Sequence, residues 1–229
     1  MSSNSAHAQG RNTVLNVIVA ILVFGSLWGL SEVVLGGVLK SSGFPYRAGL
    51  LTGVAMGIMG VALAMSRKWL MPIGIGVVAG LVTLLVVPVL HVSPMCKANS
   101  CLALILEAGS LSAAAVLVGG KATKSAHGRM AMGGGAALTA SAAFYFAGIH
   151  FAPCPYLLSF TAGSFVVTEG MVWAAFSAIM FPLGYAIGEK LAVRQFPVLS
   201  PESVLYYSGG AAVVAVCWGI SGAAIAAGL

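Results

Sequence analysis

The chain contains no aspartate, and Glu32, Glu107, Glu169, Glu189 and Glu202 are its entire acidic complement. Charged residues fill 7% of its 229 positions, against roughly 25% in an average soluble domain. Water is therefore not the solvent for most of this chain. Other absences narrow the function. There is no GxxxxGK[ST] loop and no GxGxxG after a strand, so a nucleotide-driven motor or a soluble catalytic domain is not carried here. No nucleophile and base stand at a recognised spacing, and nothing marks the chain as an enzyme. The basic residues form no stripe interleaved with aromatics, which argues against a nucleic-acid partner.

Apolar sequence is plentiful: 59% of residues are hydrophobic and the mean hydropathy is +1.01. A bilayer crossing needs about 20 mostly apolar residues. Segments near 13–39, 48–66, 70–92, 101–120, 130–151, 164–188 and 204–228 meet that requirement. The fold class is thus an all-α, polytopic transmembrane bundle of six to seven helices, with the lipid bilayer as its first partner. Residues 1–12 (MSSNSAHAQGRN) form a polar tail, and 13–229 a single helical membrane domain. The first apolar run is too long for a signal-peptide core and is expected to stay as a helix. Ser200, Pro201 and Glu202 combine a cap, an N1 proline and a first-turn acid, and predict the start of the last helix.

Lysine and arginine set the orientation. With the N-terminus inside, the inner segments hold Arg11, Arg67, Lys68, Lys121, Lys124, Arg129, Lys190 and Arg194, and the outer ones only Lys40, Arg47 and Lys97. This predicts a multi-pass protein of the cell's inner (cytoplasmic) membrane with a cytoplasmic N-terminus. Four glycine pairs at four-residue spacing, Gly25/Gly29, Gly53/Gly57, Gly76/Gly80 and Gly184/Gly188, allow close helix approach.

Three acids fall inside predicted helices. A charge at the bilayer centre costs a few kcal/mol, so intramembrane acids are functional candidates that face a cavity or the bundle interior. In the predicted topology Glu32, Glu107 and Glu169 all project to the outer half. Trp28 lies one turn before Glu32, where positions i and i+4 share a face, so an acid and an aromatic are expected on one wall of a pocket. The four residues Trp28, Glu32, Glu107 and Glu169 are the candidate substrate contacts.

The outer ends hold a second set. "HVSPMCKANSCLALILEAG" (91–109) and "HFAPCPYLLSFTAGSFVVTEG" (150–170) share the order histidine, proline, cysteine, glutamate, as His91, Pro94, Cys96, Glu107 and His150, Pro153, Cys154, Glu169. Internal repeats are a transporter device. His91, Cys96, Cys101, His150 and Cys154 could ligate zinc, copper or another transition metal ion. The histidines could instead be axial ligands of a haem or line a quinone site in a redox complex. The outer cysteines could also pair as disulfides.

In size and layout, and in "LWGLSEVVLG" and "GFPYRAGLLTG" within its first quarter, the chain resembles the substrate-binding S components of energy-coupling factor (ECF) transporters for vitamins and metals. The resemblance implies capture of a micronutrient from outside, with a scaffold subunit and two ATPases as partners. It also implies that Gly25 and Gly29 form a scaffold-facing surface. The expected function is binding of a small solute or metal ion in an outward-facing pocket as a transporter's substrate-binding subunit.

Overall fold

The computed structural model of the protein describes residues 3–193 and 204–229. Each predicted crossing is a helix: α1 (Ser3–Ser41), α2 (Arg47–Ser66), α3 (Met71–Leu90), α4 (Ala98–Ala122), α5 (Ala126–Phe151), α6 (Ala162–Val193) and α7 (Val204–Ala226). Among the described residues, these seven are long and apolar enough to span a membrane. The protein is an integral, multi-pass membrane protein. The α1 helix begins within the polar tail, at Ser3, and its apolar span at Val14. The predicted helix start at Ser200, Pro201 and Glu202, and the topological residue Arg194, lie outside the described residues.

Local chemistry sets the helix ends that apolar windows miss. Ser125 accepts a hydrogen bond from the Gly128 N–H at 3.0 Å and starts α5 four residues before its apolar window. Thr161 and Ser164 form a reciprocal capping box at the start of α6. Two ends lie in the left-handed region: Arg67 (φ 52°) closes α2 and His91 (φ 53°) closes α3. The α3 helix breaks at Leu84 and Leu85, between Thr83 and Val86. Pro88 offers no N–H to the Leu84 carbonyl, which instead accepts from Val87 N at 3.0 Å.

Six helices close into a ring in the order α1, α2, α6, α5, α4, α3 and back to α1, with α7 outside it, mainly against α1. Trp218 Nε1 of α7 donates to Ser26 Oγ at 3.0 Å, and the Tyr207 hydroxyl donates to Asn16 Oδ1 at 2.9 Å. The most extensive helix contact is α2 with α6. It runs along a glycine seam: a Cβ on Gly49 would stand 2.6 Å from Val172 Cγ1, one on Gly53 2.8 Å from Phe176 Cβ, and one on Gly184 would run into the Gly57 carbonyl. Gly188 continues the seam against Val61 and Ala64.

The first-helix pair takes a different place from the one the resemblance implies. Gly25 seats against Val78 and Ile75, and Gly29 against Val82. Both are occupied by α3 within the ring and present no surface to another subunit. The reason is steric: β-branched valines on α3 need a flat partner to approach this closely.

The two ends of the bundle differ in charge. Arg67, Lys68, Lys121, Lys124, Arg129 and Lys190 lie together at the end where α2, α4 and α6 terminate. There Arg129 grips Glu189 through two 2.8 Å hydrogen bonds, donates from Nε to the Thr123 carbonyl, and stacks 4.4 Å from the Tyr185 ring centre. Lys40, Arg47 and Lys97 lie at the opposite end.

The seam gives a signed prediction. Alanine normally stabilises a helix relative to glycine by about 1 kcal/mol. Gly184→Ala is expected to do the reverse, lowering thermal stability in detergent by an overpacking cost of about 1–3 kcal/mol. Gly135→Ala, where a Cβ meets open space, is expected to leave the melting temperature unchanged or raised.

Candidate functional site

The Lys40, Arg47 and Lys97 end of the ring holds a cavity of about 220 Å³. Glu32 reaches it from α1, Arg47 and Thr52 from α2, Asn99 and Glu107 from α4, Phe144 from α5, and Phe165, Glu169 and Trp173 from α6. The segment between α5 and α6 folds over one side, contributing Cys154, Tyr156 and the fully buried Leu157. That segment is fixed by the Tyr145 hydroxyl, which donates to the Phe160 carbonyl at 2.8 Å. Two depressions, of about 370 and 340 Å³, adjoin the cavity and share Arg47 with it; Lys40 and Lys97 line the first.

All three intramembrane acids therefore meet, although they come from different helices. Glu107 is the deepest, 4% exposed, and its Oε1 accepts from the Thr52 hydroxyl at 2.9 Å. Glu32 Oε1 accepts from Trp28 Nε1 at 3.1 Å. Trp28 is thus in the predicted register with Glu32, but it is fully buried and stands behind the acid rather than on the cavity wall. Glu169 lies in a π turn, Val166–Gly170, inside α6. Such turns add a residue to the helical circuit and occur often at functional sites.

None of the three acids makes an ion pair among the described residues. Among the described residues the ion pair is Arg129 with Glu189, at the far end. Arg47, the cation on the cavity wall, is exposed at the rim. Three buried polar atoms of wall residues have no hydrogen-bond partner: Glu107 Oε2, Asn99 Oδ1 and Trp173 Nε1. An orphaned buried polar group costs about 1–3 kcal/mol, and three of these groups belong to residues lining one cavity. The aromatic wall is continuous, with Phe144 5.8 Å from Trp173 and 6.2 Å from Phe165 between ring centres.

The predicted soft-ligand set does not assemble in this way. His91 is exposed and serves as the left-handed cap of α3. His150 is exposed, with Nδ1 2.7 Å from the Phe146 carbonyl of its own helix. The Cys101 sulfur lies 3.7 Å from Thr83 Oγ1, and Cys154 lines the cavity; both are free thiols, as is Cys217. Cys96 lies in a short 3₁₀ turn, Pro94–Lys97. Among the described residues no three His, Cys, Asp or Glu side chains are grouped to hold a metal ion. The two matching stretches bring their glutamates together and leave their histidines apart.

No family model, curated protein or solved structure matches the chain.

Tyr156 supplies a pH prediction. Burial first, and then the neighbouring Glu169 carboxylate, push its phenol above the ordinary value of 10.0. A group whose folded-state pKa is raised gives stability that is complete below its unfolded pKa and is lost as pH rises past it. Melting temperature is expected to fall as pH rises above about 10, and to fall less in Tyr156→Phe, as thermal scans in detergent would read.

Proposed function

We propose that this protein is the solute-binding membrane subunit of a transporter, capturing a small solute in the cavity at the Glu32, Glu107 and Glu169 end. The observation that carries this reading is the convergence of those acids on one small cavity whose wall leaves Glu107 Oε2, Asn99 Oδ1 and Trp173 Nε1 unpartnered. A purely structural acid would be satisfied by its neighbours. The volume lies below the roughly 300–1,000 Å³ of drug-sized pockets and suits a small guest. The separation of His91, His150 and Cys101 from the cavity favours an organic solute over a metal ion or haem.

The basic end carries the residues that the positive-inside rule assigns to the cytoplasm, so the cavity end faces outward. The resemblance to S components supports the transport role: a six-helix ring with a small cavity near one face matches the layout it implies. In that role a scaffold subunit and ATPases drive movement. Their contact surface lies elsewhere than Gly25 and Gly29.

Native mass spectrometry of protein purified in mild detergent tests the capture. A small-molecule adduct is expected on the wild type and is expected to be lost in Glu107→Gln, which keeps an acceptor for Thr52. A bare wild-type chain, or a haem absorption band lost on replacing His91 or His150, would overturn the reading.

Orientation has its own test. A variant retaining only Cys154 is expected to react in intact cells with a membrane-impermeant thiol reagent. Reaction only after permeabilisation would place the cavity on the cytoplasmic side.

A further inference from the structure

The cavity wall is unbalanced in both charge and hydrogen-bonding capacity. Its acceptors in excess are Glu107 Oε2 and Asn99 Oδ1, and its one unpartnered buried donor is Trp173 Nε1. Glu107 and Trp173 are each 4% exposed, so water at the surface does not satisfy them. Of the three carboxylates, Glu107 meets Thr52 and Glu32 meets Trp28, both neutral. Glu169 stands beside the phenol of Tyr156. The cations nearest the site are Arg47, exposed on the cavity wall, and Lys40 and Lys97, which line the adjoining depression together with Glu32. Hydrated charges in such positions are screened and offset a buried carboxylate weakly. A cationic group inside the cavity would stand closer to Glu107 than any of these does.

The shape of the missing group follows from the remaining wall. Phe144, Phe165 and Trp173 present adjoining ring systems. An aromatic face attracts a cation within about 6 Å of its centre, most strongly where both are desolvated. A flat group would lie along these rings with its edge toward Glu107 and Asn99.

Resting on the solute-binding reading above, we propose that the ligand is a small planar organic cation of the amidinium or protonated aromatic-amine class. It donates N–H groups to Glu107 Oε2 and Asn99 Oδ1 and lies against the Trp173 ring. Glu107 and Trp173 are then the specificity residues: the first selects charge, the second selects a flat ligand. An anion would leave Glu107 uncompensated.

Isothermal titration of the purified protein with three probes of one shape tests the assignment. Benzamidinium is cationic, benzamide neutral and benzoate anionic. Benzamidinium is expected to bind at least about tenfold more tightly than benzamide, a ratio that corresponds to a single good interaction, with benzoate weakest. Glu107→Gln is expected to reduce that discrimination to less than about threefold. Should that variant fail to fold, Glu169→Gln is expected to weaken benzamidinium selectively, and Trp173→Phe to weaken benzamidinium and benzamide together. Equal or tighter binding of benzamide or benzoate would overturn the cation while leaving a solute site in place. An adduct in native mass spectra with no probe binding at millimolar concentration would overturn the planar cation alone. No adduct and no probe binding would overturn the solute-binding reading and this proposal together.

Discussion

The site depends on how closely α2 and α6 approach. Their seam is made of Gly49, Gly53 and Gly57 on one helix, with Gly184 and Gly188 on the other, facing Val172, Phe176 and Met180 or meeting backbone directly. In a bilayer there is no hydrophobic drive between helices, so contact of this closeness is what holds them. Thr52 and Arg47 lie on α2, Phe165, Glu169 and Trp173 on α6, and all five line the cavity. Moving the seam apart by one methyl group would shift the Thr52 hydroxyl relative to Glu107 and misplace the Trp173 indole. Small residues thus set the positions of large, polar ones.

A second constraint is the cost of acids in a membrane. A carboxylate at the centre of a bilayer costs a few kcal/mol even on the mildest scale, and an ion pair would offset part of it. The protein makes that pairing at the other end, where Arg129 and Glu189 lock α5 to α6 with two hydrogen bonds and a ring stack on Tyr185. It does not make it for Glu107, whose neighbour is a threonine. The chain has basic residues to spare, yet the one on the cavity wall, Arg47, stays exposed and forms no ion pair with Glu107.

The helices were legible because about 20 apolar residues are needed per crossing and little else in this chain is polar. The acids of the site were legible for the same reason: in a chain with so few charges, Glu32, Glu107 and Glu169 stand out. Thr52, Asn99, Tyr156 and Trp173 were not, because each residue type is ordinary in a membrane helix or its loops, and only the ring brings them to one place. The π turn that carries Glu169 leaves no periodic mark. The order of residues along the chain makes His91 and His150 candidate ligands. Order does not fix direction, and one histidine closes a helix in the left-handed region while the other turns back to its own backbone. Gly25 and Gly29 have the spacing of a contact surface, but spacing cannot distinguish a neighbour in the same chain from a partner subunit.

The placement of the cavity at one end follows from where the ring is filled. Phe181 of α6 is fully buried and wedges between α2 and α5 on glycine seats: a Cβ on Gly60 would stand 2.8 Å from its carbonyl, and one on Gly133 2.5 Å from its own Cβ. Met56, Met59 and Leu63 of α2 and Tyr185 of α6 belong to the same core, toward the end that Arg129 closes. Methionine adapts to irregular gaps, so these side chains fill the middle of the ring, and the open space at this end lies between α4 and α5, along Lys121, Ser125 and Met132. The opposite half is lined by Thr52, Asn99 and three carboxyl groups, whose polar ends cannot interdigitate as hydrocarbon does. The cavity within the ring therefore falls where its polar side chains gather, at the end away from Arg129.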